Sequence, residues 1–545
     1  MEATMMRYPL TTQMIFQRGE QLFADSVVAN FDGENVREIT YKEVAVRARR
    51  LASALRALGL GQGERIGSFC WNTQEHLEAY LAVPAMGAVL HTLNVRLYAE
   101  QIKYIVDHAE DRMLLVDAEL LPLLLPILPQ MKSVQDVIVI GGKGQKIPGY
   151  VGAVHDYEEL IAQHEPLAEW PALDENSAAV MCYTSGTTGH PKGVVYSHRS
   201  IFLHSLGSLG ADAFGISNRD RILMLPSMFH ANAWGTPFSG WLAGSDFVLP
   251  GRFLRPENIA RAVKLTQPTL TMAVPTILND LLQLHAREAL DFSCFRVIIS
   301  GGSAVSPVLI ERVYEAWGVR VVQGWGMTET SPMCVLSAPP RGTAPEDEVY
   351  WRAKSGRPVA GMEVRIVDDN GVPLPHDGSA VGNLQLRGPW VAAGYYRQEP
   401  GESPLSQDGW LRTGDAGTID PLGYVQITDR TKDLIKSGGE WISSVELEHC
   451  ISRFPGVVEV AVVAVPDPRW EERPLAILVM ADDAVPDFPS MRRFLAKNLA
   501  KFMIPEYWVV VPNLPKTSVG KIDKKRLRQQ VEAGSLPYVR EVGMG

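Results

Sequence analysis

Cysteine is scarce in this 545-residue chain. Its five cysteines, Cys70, Cys182, Cys294, Cys334 and Cys450, stand far apart, with no Cys-x-x-Cys pair. An odd, scattered set indicates neither a disulfide framework nor a zinc site, and it reads as buried free thiols in a reducing cytosol. Basic charge is also short. The 52 Lys and Arg against 62 Asp and Glu leave a formal net charge of -10, whereas nonspecific nucleic-acid binding needs a basic face, so nucleic acid is not an expected partner. Long apolar runs are missing too. The greasiest stretch, residues 113–131, is broken by Asp117, Glu119, Pro122, Pro126 and Pro129 and falls short of the roughly 20 apolar residues of a membrane-spanning helix. It reads as a buried strand followed by a short helix. Residues 1–10 carry no apolar stretch behind their basic residue, unlike a secretory signal. A cytoplasmic protein without a transmembrane segment is expected, with peripheral membrane contact left open. Neither an internal repeat nor a low-complexity segment is visible.

What is present is a globular composition, 46% hydrophobic and 21% charged, with ample material for a core and a length that predicts two or three domains. Val44, Ala48, Leu51, Ala52, Leu55 and Leu58 recur at helical spacing, with Gly59 at the expected stop. Short apolar strands are expected at 65–70, 113–116 and 137–140, with a helix over 76–86. The alternation resumes further on, with strands at 222–225, 247–249, 270–274, 295–300 and 319–322. Such alternation predicts an α/β fold with largely parallel sheets, here as two doubly wound αβ halves. From about Gly356 the pattern turns to alternating β-rich segments with Gly, Pro and Asp turns, a small antiparallel β-subdomain. A smaller α+β unit follows Asp429.

Residues 183–193 read Tyr-Thr-Ser-Gly-Thr-Thr-Gly-His-Pro-Lys-Gly, between apolar runs at 178–182 and 194–196, with Ser197 placed to cap a helix. This is a strand, a polar loop, a second strand and a helix. Glycine lets backbone turn sharply and approach a ligand. Consecutive N–H groups together with hydroxyls form a cradle for phosphate oxygens. A Ser/Thr/Gly surface turn has the same composition. A second constellation is Gly324-Trp325-Gly326-Met327-Thr328-Glu329. Its glycine-flanked aromatic can lie against a nucleobase, where stacking is worth about 1–3 kcal/mol. Thr328 offers a hydroxyl to a phosphate, and Glu329 a hard oxygen to Mg2+, which binds few carboxylates and keeps several waters. In Arg412-Thr413-Gly414-Asp415 the carboxylate can accept both hydroxyls of a ribose, although Asp is also a common turn former. Gly302 and Gln323 lie, like the 183–193 loop, at carboxyl ends of expected strands, where ligands of open α/β sheets bind.

Five motifs, in order from residue 183 to 521, resemble those of the adenylate-forming superfamily, which contains acyl-CoA synthetases, luciferases and the adenylation domains of peptide synthetases. By that resemblance, Thr184, Ser185, Gly186, Thr187, Thr188, Gly189 and Lys192 hold ATP, and Thr184 and Glu329 hold Mg2+. Gly302, Gln323, Gly324, Trp325 and Thr328 surround the nucleotide, with Trp325 in place of the commoner Tyr against adenine. Asp415 and Arg430 contact the ribose. The stretch 429–443 matches the segment joining the two domains, which places a boundary between 1–428 and 429–545, a hinge at Asp429, and Lys432, Lys436 and Trp441 on the nucleotide side. Pro515-Lys516-Thr517-Ser518-Val519-Gly520-Lys521 matches the motif whose lysine, here Lys521, bridges the acid's carboxylate and the α-phosphate. A small mobile C-terminal domain, turning between an adenylation step and a thiol-transfer step with CoA, is implied, and a homodimer as well.

The acid is addressed by residues 228–238, Met-Phe-His-Ala-Asn-Ala-Trp-Gly-Thr-Pro-Phe. No carboxylate is present there to meet an amino acid's ammonium, and a buried charge without a partner is strongly disfavoured. The loop resembles that of fatty acyl-CoA synthetases, whose matching Trp gates the acyl tunnel. Trp234 would be that gate, with His230, Ala231, Gly302, Gly324 and Pro332 lining the route and His230 beside the reacting carboxylate; core packing is the alternative for Trp234. A medium- to long-chain fatty acid is therefore expected. A short thioether acid such as 3-methylthiopropionate is the runner-up, because Trp325 would shorten the pocket. A luciferase-like oxygenase shares the same adenylation motifs. Too little chain follows Lys521 for a carrier domain of a peptide synthetase.

Overall fold

The structure is a computed structural model. It describes the chain except for Glu2, residues 143–146, residues 185–190, Pro400, Glu402, Thr431, Lys432, Gly438, Gly439, Asp482, Asp483, Asn498, residues 518–521 and residues 542–545; the side chains of Arg430, Lys436, Glu440 and Trp441 are likewise outside the description.

Two large, mainly parallel sheets make up the N-terminal part. The first runs Ala153–Asp156, Asp136–Ile140, Met113–Asp117, Arg65–Phe69, Val89–Thr92, Ala178–Thr184 and Lys192–Ser197, with only the last pair antiparallel. The second has a parallel centre of Val321–Gly326, Val297–Gly301, Leu270–Ala273, Arg221–Leu223, Asp246–Leu249 and Val27–Phe31. Antiparallel strands close its edges. Strand side chains alternate between faces, and the cores show it. Ile222 and Ile299 join a central core shared with Ile66, Leu90 and Val180 of the other sheet, whereas Leu223 and Ile298 point to a separate outer core. Helices Thr12–Leu22, Tyr41–Ala57, Gln74–Ala85 and Thr236–Ala243 contribute to the shared core, while Ala99–Ala109 packs on the outer face of the first sheet and Pro256–Thr266, Pro275–His285 and Pro307–Trp317 on that of the second, so both sheets are covered on two faces, as parallel sheets require. Gly19 lets helix Thr12–Leu22 approach closely: a Cβ there would fall 2.1 Å from the Trp241 ring, whose Nε1–H donates to the Phe16 carbonyl at 3.0 Å.

The expected α/β alternation is thus present, with strand ends displaced by a residue or two, except that the strand expected at 319–322 runs on four residues further, as Val321–Gly326. Helix Tyr41–Ala57 begins at a capping box formed by Thr40 and Glu43. The N-terminal strand Val27–Phe31, which the sequence reading does not contain, belongs to the second sheet, where it pairs in parallel with Asp246–Leu249. The antiparallel subdomain follows as Glu363–Val367, Gly382–Arg387, Leu411–Ile419 and Val425–Arg430. The smaller C-terminal unit is a six-stranded, mainly antiparallel sheet built on the long pair Val457–Asp467 and Glu471–Met480, with helices Ser444–Ile451, Phe488–Leu495 and Lys524–Glu532.

Candidate active site

A cavity of about 570 Å3 opens at the carboxyl ends of the second sheet's parallel strands and against the end of strand Ala178–Thr184. Thr184, Lys192, His230, Ala231, Trp234, Gly302, Gly324, Trp325, Thr328, Glu329 and Pro332 all line it. Segments as far apart in sequence as 184 and 332 therefore meet where the fold rule puts a ligand. Close backbone approach requires glycine here: a Cβ on Gly301 would lie 2.6 Å from the Gly324 carbonyl oxygen.

Local sequence explains the phosphate side. Strands Ala178–Thr184 and Lys192–Ser197 form a hairpin with Thr184 opposite Lys192. Ser197 caps helix His198–Ser208, accepting from the Ser200 N–H at 3.1 Å. The tip residues Ser185, Gly186, Thr187, Thr188 and Gly189 lie outside the described residues. Glu329 is buried in a short 3-10 turn, Thr328–Thr330. The Tyr395 hydroxyl donates to its Oε1 at 2.7 Å, and the Lys192 Nζ sits 5.0 Å over the Tyr395 ring. Burial, together with the Glu329 charge, raises the Tyr395 hydroxyl's pKa, which keeps it protonated as a donor. Tyr196 donates to the Thr328 carbonyl at 2.7 Å and fixes the same turn.

Trp325 lines the cavity and its Nε1–H donates to Asp415 Oδ2 at 3.1 Å. Asp415 is buried and is the cross-strand neighbour of Arg430, whose side chain is outside the description. Asp415 and Gln323 do not themselves line the cavity; Gln323 is buried, with its Oε1 accepting from the Val305 N–H at 2.7 Å. Asp429 stands apart as well. It is buried in Val425–Arg430, the last strand of the antiparallel subdomain, and one carboxylate oxygen accepts from the Ser444 N–H at 2.7 Å and from the Ser444 hydroxyl. Burial raises its pKa against the pull of Lys524. Lys436 and Trp441 pair across a short hairpin, their side chains undescribed. Lys432 and Lys521 lie outside the described residues. Next to Lys521, Ile522 bridges to Lys516, which lines the cavity and pairs with Glu459 at 2.7 Å.

The remaining wall is apolar, with Phe214, Leu225, Ala273, Ile299, Met333, Val335 and Leu336. Among the described residues only Glu329 and Asp280 contribute carboxylates to the lining, and Asp280 is exposed at the side that Lys516 reaches. Sequence reading missed Tyr395, Arg96 and Lys516 on the wall, and Asn72 behind it. Asn72 Nδ2 donates to the Met224 and Pro226 carbonyls at 2.7 and 2.9 Å, and its Oδ1 accepts from Met228 N–H at 2.8 Å, so it holds the segment leading to His230.

Among the described residues no group of three or more His, Cys, Asp or Glu forms a metal cage, and no helix is long and apolar enough to cross a membrane. All five cysteines are free. A buried carboxylate held by a tyrosine beside a lysine suits a Mg2+ that arrives with a polyphosphate and keeps its waters.

The sequence model of the AMP-binding enzyme family matches residues 16–396, and that of its C-terminal domain matches residues 446–521. The chain is 40% identical over 530 residues to the 3-methylmercaptopropionyl-CoA ligase of Ruegeria lacuscaerulensis, covering 96% of this chain and 98% of that protein. It is 42% identical over 533 residues to the long-chain-fatty-acid–CoA ligase of Thermus thermophilus, covering 97% of each. Among solved structures it resembles the anthranilate CoA ligase AuaEII in complex with anthranoyl-AMP (TM-score 0.87, 27% identity, 98% of this chain and 100% of that one). It also resembles ATP-bound MatB from Rhodopseudomonas palustris (TM-score 0.83, 26% identity, 96% and 99%).

Proposed function

The chain belongs to the AMP-binding enzyme family and is an acid–CoA ligase of the AMP-forming kind, and we propose that its acid is a medium- to long-chain fatty acid. The observation that carries this reading is one cavity with a cationic and hydroxylic phosphate side, at Thr184 and Lys192, continuous with an apolar wall that, among the described residues, has no buried carboxylate besides Glu329. An amino acid's ammonium would find no buried partner on that wall.

The reaction uses ATP, Mg2+ and CoA. A carboxylate oxygen of the acid attacks the α-phosphorus, the bond to pyrophosphate breaks, and acyl-AMP forms. The CoA sulfur then attacks the acyl carbon and AMP leaves. No nucleophile of the protein is needed, so orientation and charge placement supply the rate. Thr184, Lys192 and the 185–189 loop hold the phosphates, with Thr184 and Glu329 as the Mg2+ ligands; bound there, the ion would neutralise phosphate charge. Tyr395 keeps Glu329 aimed into the cavity. Trp325 lies against adenine while its N–H steadies Asp415, which with Arg430 takes the ribose. His230 stands beside the reacting carboxylate. Lys521 reaches the α-phosphate when the small domain, beginning near Asp429, is turned towards the cavity; Lys432, Lys436 and Trp441 belong to the moving face. A homodimer and a cytoplasmic location complete the proposal. The first rests on the family resemblance, the second on the unpaired cysteines.

The Ruegeria relative supports a second reading, a short thioether acid, for which Trp325 would shorten the pocket. Assay of C3 to C18 acids and 3-methylthiopropionate for CoA-dependent AMP release separates the two. A maximum at or above medium chain length is expected, and a maximum at the thioether acid would favour the alternative. Trp234→Ala should change this profile far more than the KM for ATP.

A further inference from the structure

Residues 231–234 form a turn of the wrong hand. Ala231, Asn232, Ala233 and Trp234 have φ of 43, 54, 46 and 58°, and Gly235 follows at 79°. Non-glycine residues visit this region singly, at about 1–2 kcal/mol each, and Asn tolerates it better than Ala or Trp. Four in succession persist only where surrounding structure over-determines them. Asn232 is where that hold converges. It is 4% exposed and does not line the cavity. Its Oδ1 lies 3.2 Å from the Tyr80 hydroxyl and 3.3 Å from the Cys182 Sγ, and its carbonyl accepts from the Gly235 N–H at 2.8 Å. The same hydroxyl, with one proton to share between them, also lies against the Met228 carbonyl. The turn is therefore pinned to helix Gln74–Ala85 and to strand Ala178–Thr184, the strand that leads into the phosphate loop.

The hand of the turn decides where Trp234 goes. In the observed turn the indole packs against the strand end, where a Cβ on Gly301 would be 3.5 Å from the ring, and it forms part of the cavity wall. A right-handed turn through the same four residues would carry the side chain to another face. We propose that Asn232 is a specificity-determining positioning residue, whose buried side chain locks the left-handed turn that aims Trp234 into the cavity and so sets which acids fit. This rests on the reading of Trp234 as the acyl-chain gate.

The test compares wild type, Asn232→Gly, Trp234→Ala and the double variant across C3 to C18 acids. Glycine adopts the same backbone freely, so Asn232→Gly removes the anchor with little pressure on folding. The ratio of kcat/KM between long and short acids should change about tenfold, the scale on which hydrophobic pockets discriminate, while the KM for ATP stays within about twofold. In the Trp234→Ala background the Asn232→Gly change should have no further effect, because coupled residues are not additive. An unaltered profile in folded Asn232→Gly, or a fully additive effect in the double variant, overturns the proposal. Should Asn232→Gly fail to fold, Tyr80→Phe, which deletes one hydroxyl, must shift the profile in the same direction, and an unchanged profile there is equally fatal. Wild type that adenylates no acid would instead sink the ligase reading, and an unchanged Trp234→Ala profile would sink the gate and this proposal with it.

Discussion

Replacing Tyr395 by Phe removes a single oxygen from the site. That hydroxyl donates to Glu329 Oε1 at 2.7 Å, and Glu329 is only 6% exposed. The Phe ring stays under the Lys192 ammonium, 5.0 Å from its centroid, so the variant isolates the hydrogen bond. Hydrogen bonds to charged groups contribute about 1.5–3 kcal/mol. If the whole of that is felt when Glu329 meets the phosphate-bound cation, kcat/KM for adenylation falls about 10- to 150-fold. Pyrophosphate release, followed at graded Mg2+ concentrations, reads both the rate and the metal requirement. The expected result is a lower rate and a higher Mg2+ concentration for half activation, with the KM for the acid little changed. Tyr395→Leu, which also removes the ring beneath Lys192, should cost more. A Phe variant with wild-type pyrophosphate release and an unchanged Mg2+ requirement would refute the role given to Tyr395, and with it the orientation of Glu329.

Lys521→Ala should slow acyl-AMP formation at least ~10²–10³-fold, as loss of a charge-stabilising group does, yet spare CoA transfer from supplied acyl-AMP; equal loss in both half-reactions would count against it. Trp325→Phe keeps an aromatic face but deletes the N–H held by Asp415, so the KM for ATP should rise about tenfold, and an unaltered KM would remove Trp325 from the ribose side. His204 is buried and its pKa is pushed down to about 3 by desolvation. Such a histidine contributes stability above its unfolded value of 6.5 that is lost as the pH falls. Wild type should therefore lose about 1.6 kcal/mol more than His204→Asn between pH 6.5 and 5, measured by urea unfolding; equal losses would contradict the neutral, buried state of this ring.

The parts legible in the sequence are local. The strand–loop–strand–helix over 178–208 follows from apolar runs, a polar loop and a serine cap, and each of those signals acts over a few residues. The strands whose ends carry Gly301 and Gly324 were readable for the same reason. Long-range pairing was not: nothing near Val28 says that its neighbour is Phe247. The left-handed turn was hidden because Ala-Asn-Ala-Trp carries no glycine signal, and the forces that impose it come from Tyr80 and Cys182, far off in sequence. Tyr395 escaped because it sits beside the polar stretch 397–407, which reads as loop. Only the fold brings its hydroxyl to Glu329. Gln323 was readable as a strand-end residue, but its amide oxygen accepts from the Val305 N–H and the residue does not line the cavity.

The most direct test of the central claim is a product balance. Purified protein is given ATP, Mg2+, CoA and a C8 or C12 fatty acid, and acyl-CoA, AMP and pyrophosphate are quantified together. One of each per turnover, with acyl-AMP accumulating when CoA is left out, is the predicted result. Acid-dependent ADP and phosphate, or no acid-dependent pyrophosphate across the whole panel of acids, would contradict it.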